Sequence, residues 1–129
     1  MLKSNVSWST NKDSYTQGKE AAEKAVVDLI QTKVAFLFTS VDCNVEKVLE
    51  GAKAELGTAP IIGCTSSAGI ITPEGFISSE NGFTGILALG DPELTVGVAS
   101  SPKKEEARLT GQMVAKEAMK KAGRTDSPA

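Results

Sequence analysis

The chain has 129 residues, of which 40% are hydrophobic and 23% are charged, a composition typical of one ordinary folded domain. The 14 basic and 16 acidic residues leave a formal net charge of −2, so the basic excess that nucleic-acid binding relies on is missing. The chain contains no histidine. By itself it therefore cannot form a Ser-His-Asp or Cys-His catalytic site, a histidine-ligated haem or a zinc site that uses histidine.

The sequence shows no signal for export or membrane insertion. No apolar run approaches the ~20 residues that a transmembrane helix needs, and the polar residues 1–5 differ from the apolar stretch of a signal peptide. Cys43 and Cys64 are too few for the disulfide framework of a small secreted protein. We therefore expect a cytoplasmic protein with no membrane partner, in which both cysteines are free thiols.

The first half of the chain alternates strand and helix patterns. Residues 4–9 alternate small polar and apolar side chains, which predicts a short strand. A 3.6-residue apolar period then predicts a helix over about residues 14–31. The continuous apolar run at residues 34–38 predicts a strand covered on both faces, and a second helix that ends at Gly57 follows it.

The second half begins with a third strand, predicted at residues 60–64. Turn sequences rich in glycine and proline then predict two antiparallel hairpins, whose strands are residues 69–72 with 76–79 and residues 83–89 with 94–100. A third helix with a stripe of mostly small side chains is predicted from Pro102 to Gly123, followed by a flexible tail at residues 124–129.

These elements predict an α/β (mixed α+β) fold class. Its mixed β-sheet has a β-α-β-α-β start, two antiparallel hairpins follow, and a C-terminal helix ends the fold. We expect one domain over residues 1–123.

Small side chains gather after the third predicted strand, and they include Gly63, Cys64, Thr65, Ser66, Ser67 and Gly69. In open α/β sheets, ligands bind just past the carboxyl ends of strands, where small residues let a ligand approach backbone N–H groups. This segment is therefore a candidate ligand site. The alternative is a tight polar turn whose hydroxyls bond their own backbone.

Ser40 and Asp42 mark a second junction between a strand and a helix. If the two strands are parallel neighbours, this junction opens on the same edge of the sheet as the segment after Gly63. Both residues are weaker candidates for ligand contact, since helix capping alone would explain them.

Cys64 follows a strand, which is a common position for the nucleophile of an acyl-transfer enzyme. The thiolate needs an activating base or a lowered pKa, and this chain offers no histidine. We therefore expect Cys64 to be a small buried residue with no catalytic role.

Residues 34–40 and 60–69 resemble the amino-terminal FIST domain, named for F-box and intracellular signal transduction. The most specific element is the pattern Gly-Cys-(Ser/Thr)-x-x-Ala-Gly at residues 63–69, and the resemblance covers nearly the whole chain. It implies a sensory module for small ligands, with amino acids the proposed class, in prokaryotic signalling proteins beside kinase, cyclase or methyl-accepting modules. The family domain is longer, so residues 1–123 are expected to be a portion of one.

The resulting hypothesis is a non-enzymatic sensory domain that binds a small ligand and needs neither a cofactor nor a metal. Its expected partner is the remainder of a larger FIST protein or a second copy in a homodimer. Two alternatives stay open. One is an enzyme subunit that uses Cys64 with a base from another segment, and the other is a protein interaction module without a ligand.

Overall fold

The computed structural model describes residues 1–125, and within them the chain forms six strands and three helices. In chain order these are β1 (Lys3–Ser9), α1 (Ser14–Val26), β2 (Thr32–Ser40), α2 (Val45–Leu56), β3 (Ile61–Ser66), β4 (Ile70–Thr72), β5 (Gly75–Ile77), β6 (Thr84–Gly90) and α3 (Ala107–Lys121). The predicted fold class is confirmed, because a mixed four-stranded sheet and a two-stranded antiparallel sheet are combined with helices. Residues Met1–Pro92 form one compact unit, and the described residues from Glu93 to position 125 form a second.

The four-stranded sheet has the strand order β1-β6-β2-β3. Its one parallel pair is β2 with β3, and α2 supplies the crossover that a parallel connection requires. β6 lies between β1 and β2 and is antiparallel to both. The carboxyl ends of β2 and β3 therefore meet at one edge, where Ser40 is the register partner of Ser66.

Both α1 and α2 pack on the same face of this sheet. The helices and the strands β2 and β6 both contribute to the core, and six of its ten residues are alanines. It consists of Ala21, Ala22, Ala25, Ala35, Leu37, Val48, Ala52, Leu56, Ile86 and Ala88. The helices approach closely because Gly18 and Gly51 stand at their contact. A Cβ at Gly18 would collide with the carbonyl oxygen of Val48.

The opposite face of the sheet is only partly covered. Val6, Phe38 and Ile62 lie on this face by strand alternation, and each is 41% exposed. The prediction that β2 is covered on both faces is therefore wrong. A continuous apolar run cannot distinguish a face packed by helices from an apolar face left open to solvent.

Helix α1 ends at Val26, five residues before the predicted end. Asp28 adopts a left-handed φ of 62°, which stops the helix although apolar residues continue beyond it. The Asn5 side chain in β1 donates hydrogen bonds to the carbonyl oxygens of Lys24 and Val27, at 3.0 and 3.2 Å. Asn5 thus satisfies carbonyls at the end of the helix, which otherwise lack intrahelical partners.

One of the two predicted hairpins forms and the other does not. Ile70–Thr72 pairs with Gly75–Ile77, which confirms the first hairpin. The strand predicted at residues 83–89 is present as β6 (Thr84–Gly90), but residues 94–100 do not form a strand. Since β1 and β2 occupy both edges of β6, no edge is left for a hairpin partner.

Helix α3 belongs to the second compact unit and begins at Ala107, not at Pro102 as predicted. Lys103 and Lys104 would place two cations in the first turn of the longer helix, where the dipole disfavours them. None of the residues of α3 is buried. Residues 124–125 have no regular structure, and the remainder of the predicted tail, residues 126–129, lies outside the described part of the chain.

Candidate functional site

A cleft of about 280 Å³ lies between α2 and the parallel pair β2–β3. Eight residues line it, namely Leu37, Thr39, Val45, Leu49, Ile61, Gly63, Cys64 and Thr65. Its volume is close to the ~300 Å³ at which small-molecule sites begin. Three of the predicted ligand-binding residues, Gly63, Cys64 and Thr65, are therefore brought together in one concave site.

Strand register and helix capping position the walls of this cleft. Leu37 pairs with Gly63 and Thr39 pairs with Thr65, so these residues form rows on the face that carries α2. The helix starts after Asn44, whose side chain accepts a 3.1 Å hydrogen bond from the Lys47 backbone N–H. This cap fixes the first turn of α2, from which Val45 reaches the cleft.

Gly63 is required where it stands because a Cβ at this position would collide with the carbonyl oxygen of Leu37. The predicted loop that starts at Gly63 is a strand in the structure, since β3 continues to Ser66. The extension arises because β3 pairs with β2 as far as Ser40. Four of the predicted site residues, Gly63, Cys64, Thr65 and Ser66, thus lie on β3.

Cys64 is exposed, and the prediction that it is buried is wrong. Strand alternation places its side chain on the open face beside Phe38, its register partner, so that its backbone faces the cleft. The sequence favours a buried Cys64 because the chain has no histidine to activate its thiol. Since β3 is the outermost strand, however, its residues are mostly exposed.

Ser66 is the last residue of β3, and the other residues of the predicted segment form the turn between β3 and β4. The Ser66 hydroxyl donates a 2.7 Å hydrogen bond to the carbonyl oxygen of Gly69. Ser67 is exposed, and Gly69 lies so close to the Phe76 ring that a Cβ would approach it to 2.5 Å. None of these three residues lines the cleft.

Ser40 and Asp42 lie at the end of β2 and bond to each other. The buried Ser40 hydroxyl accepts the Asp42 backbone N–H at 3.2 Å and lies 3.3 Å from an Asp42 carboxylate oxygen. The Val41 N–H donates to the carbonyl oxygen of Ser66 at 3.3 Å, which joins this junction to the end of β3. The two junctions are thus adjacent, as expected for parallel neighbours, although neither Ser40 nor Asp42 lines the cleft.

A buried polar network lies beneath the end of β2, and sequence reasoning missed it. The fully buried Gln17 side chain accepts a 2.7 Å hydrogen bond from the Thr84 hydroxyl and a 3.2 Å bond from the Cys43 thiol. Thr84 is 2.8 Å from the hydroxyl of Thr39, which also lines the cleft. Gln17 stands four residues before Ala21 on the apolar stripe of α1, and that spacing is the signal that could have identified it.

Ionised groups with a shifted pKa lie outside the cleft. Hydrogen bonds from the Thr16 side chain and backbone lower the pKa of Asp13, and a 2.8 Å hydrogen bond to the Glu50 carboxylate raises the pKa of Lys47. None of the eight lining residues is charged. Among residues 1–125, no three potential metal-ligating side chains of His, Cys, Asp or Glu come together.

Similar solved structures are distant from this chain. An empty FtsZ dimer from M. jannaschii is 13% identical with a TM-score of 0.43, and the match covers 74% of this chain and 28% of that one. AaThiL complexed with AMPPCP and TMP is 13% identical with a TM-score of 0.42, with 92% and 49% covered. Thiamine monophosphate kinase from Aquifex aeolicus is 15% identical with a TM-score of 0.41, with 78% and 36% covered.

The matched region amounts to less than half of each of these proteins, and such weak likenesses carry no functional argument. No curated protein matches the chain in sequence. The FIST N domain, in contrast, matches residues 33–128, which is most of the chain and includes β2 from its second residue, β3 and the turn after β3. The chain therefore belongs to the FIST N domain family, whose members are generally sensory domains of signal transduction and are not typically enzymes.

Proposed function

We propose that this chain is a cytoplasmic sensory domain of a prokaryotic signalling protein and that it binds a small ligand in the cleft between α2 and the β2–β3 pair. The family resemblance implies an amino acid or a related metabolite as the ligand class. The observation that carries the proposal is the position of Gly63, Cys64 and Thr65. These residues belong to the most specific sequence element of the family, and they line the cleft.

The hydrogen-bond network supports a route by which binding is sensed. Thr39 lines the cleft, and its hydroxyl lies 2.8 Å from that of Thr84, which donates to Gln17 on α1. A ligand that shifts Thr39 would therefore disturb a buried polar chain that reaches α1. Breaking one hydrogen bond of this buried network would destabilise the fold, because leaving a buried polar group unpaired costs about 1–3 kcal/mol.

A thermal-shift screen of amino acids and related metabolites tests this proposal. A ligand present at 100 times its dissociation constant should stabilise the protein by about 2.7 kcal/mol and raise its melting temperature. Leu49→Trp fills the cleft and should abolish the response. Ile71→Trp is the matched control, since Ile71 is 89% exposed and does not line the cleft.

A response that survives Leu49→Trp would place the ligand site elsewhere. If the screen finds no ligand, the interaction module without a ligand becomes the better hypothesis. One observation favours that second function. β3 is an edge strand with no charged residue and no proline, and such an edge can pair with a strand of another molecule.

A further inference from the structure

The chemistry of the cleft walls restricts the ligand. Four of the eight lining residues have aliphatic side chains, namely Leu37, Val45, Leu49 and Ile61, and none of the eight is charged. The Thr39 hydroxyl is already engaged, because it donates to the carbonyl oxygen of Phe83 at 3.2 Å and lies 2.8 Å from the Thr84 hydroxyl. The polar side chain that remains for a ligand in the cleft is the hydroxyl of the exposed Thr65.

We infer that the cleft takes an uncharged, largely apolar molecule that carries one hydrogen-bonding group, in preference to a zwitterionic amino acid. This inference rests on the proposed function and narrows its ligand class. An ammonium or carboxylate group would lose hydration inside the cleft without meeting an opposite charge, and such a loss is costly unless the ion is paired. A branched aliphatic group would instead contact the four aliphatic side chains, while a neutral amide or hydroxyl reached Thr65.

The size of the cleft agrees with a short ligand. A volume of about 280 Å³ lies just below the ~300–1,000 Å³ of typical small-molecule sites. A branched chain of a few carbon atoms with one polar end has a suitable size.

The test compares three probes that differ in charge and little in shape. 3-Methylbutanamide and 3-methylbutanoate share the same branched carbon chain, and leucine adds an ammonium group to a similar chain. We expect ligand-observed NMR titrations of the full chain at pH 7 to give at least tenfold tighter binding for the amide than for the carboxylate or leucine. Leu49→Trp, or Thr65→Trp if the first variant does not fold, should abolish amide binding, and Ile71→Trp should leave it unchanged.

A positive charge introduced at the cleft should favour binding of the carboxylate probe. Val45 lines the cleft and is 37% exposed, so Val45→Lys places an ammonium group at its mouth with little disturbance of the core. This variant should bind 3-methylbutanoate at least tenfold more tightly than the wild type does. Val41→Lys is the matched control, because Val41 is exposed but does not line the cleft, and it should not change the preference.

Two other results would overturn the inference in distinguishable ways. If leucine or 3-methylbutanoate binds as tightly as the amide and Leu49→Trp abolishes that binding, the ligand class is wrong while the proposed site stands. If none of the three probes binds, the inference is wrong. The screen of metabolites then decides separately whether the proposed function also fails.

Discussion

Asp13 stands just before α1 and accepts hydrogen bonds from the Thr16 hydroxyl at 2.7 Å and the Thr16 backbone N–H at 2.8 Å. The side-chain bond is the larger cause and the backbone bond the second cause of the lowered Asp13 pKa. A carboxyl whose pKa is lower in the folded state stabilises the fold above its unfolded pKa of about 3.9. That stabilisation is lost as the pH falls through the lower, folded value.

We therefore expect Asp13→Asn to reduce the acid sensitivity of the protein, because asparagine can cap the helix without titrating. The measurement is the urea midpoint at pH 7 and at pH 3. The difference between the two midpoints should be smaller in the variant than in the wild type. Equal differences would show that the Asp13 cap contributes nothing to acid unfolding.

The two thiols should differ in reactivity. Cys64 is exposed on an edge strand, whereas Cys43 is partly buried and its thiol donates to the buried Gln17 side chain. At pH 7.5 we expect a thiol reagent to modify Cys64 at the rate of a free thiol such as glutathione and Cys43 at least tenfold more slowly. Mass spectrometry of the labelled protein measures both rates. Modification of Cys64 many times faster than glutathione would instead support the enzyme alternative.

The contact between α1 and α2 depends on two glycines. A Cβ at Gly51 would collide with the carbonyl oxygen of Tyr15 and lie 2.9 Å from the Lys19 backbone nitrogen. Gly51→Ala should therefore push the helices apart and destabilise the fold by about 1–3 kcal/mol, as overpacking does. Chemical denaturation followed by circular dichroism measures the change.

Gly111 on α3 supplies the matched control, since a Cβ there meets nothing within 4 Å. Gly111→Ala should raise the helix content through propensity alone, which favours alanine by about 1 kcal/mol. If Gly51→Ala and Gly111→Ala had the same free energy of unfolding, the close contact at Gly51 would not limit the packing of α1 against α2.

The bounds of a helix could be predicted where residues close in sequence determine its ends. Asn44 and Gly57 bound α2 through contacts within a few residues, and the predicted end at Gly57 is correct. The end of α1 could not be predicted in the same way, because the Asn5 amide that bonds its last carbonyls comes from β1. Tertiary contacts of this kind leave no local pattern.

In the candidate site too, features set by local sequence could be predicted, and features set by tertiary contacts could not. The small residues around Gly63 were recognisable as a segment, and the parallel pairing of β2 with β3 explains why they meet α2. The burial of Gln17 and the exposure of Cys64 depend instead on strand order. Periodicity identifies a strand such as β6, but it does not say that β6 lies between β1 and β2.

The division of the chain into two compact units leads to a test of the whole molecule. The sheet, α1, α2 and the cleft all lie within Met1–Pro92. We expect a fragment of residues 1–92 to fold by itself and to show a dispersed amide spectrum in heteronuclear NMR. A fragment that stays unfolded would instead support the single domain predicted for residues 1–123.

Association through β3 is the expectation for the assembled molecule. The outer edge of β3 pairs with no other strand among the described residues, and Ile62 on β3 is 41% exposed. We expect sedimentation at micromolar concentration to show dimers, which Ile62→Lys should weaken because a lysine on an edge strand opposes pairing. Ile71→Lys on the separate hairpin should leave the dimer intact. A wild-type monomer over the same concentration range would contradict association through this edge.

The central position of β6 determines when the sheet can form during synthesis. β1 pairs only with β6 in the sheet, and Lys3 has Gly90 as its register partner. At about 5–20 residues per second, the ribosome releases β1, β2 and β3 before β6, and the shortest of these delays, between β3 and β6, is about 1–5 s. Until then β1 has no neighbour and the inner edge of β2 is open, so a nascent chain that stalls before Thr84 exposes two strands to other nascent chains. β6 is thus the last strand of this sheet to be synthesised, and it is the strand that joins β1 to β2. A chaperone would be most useful in the interval before β6 emerges.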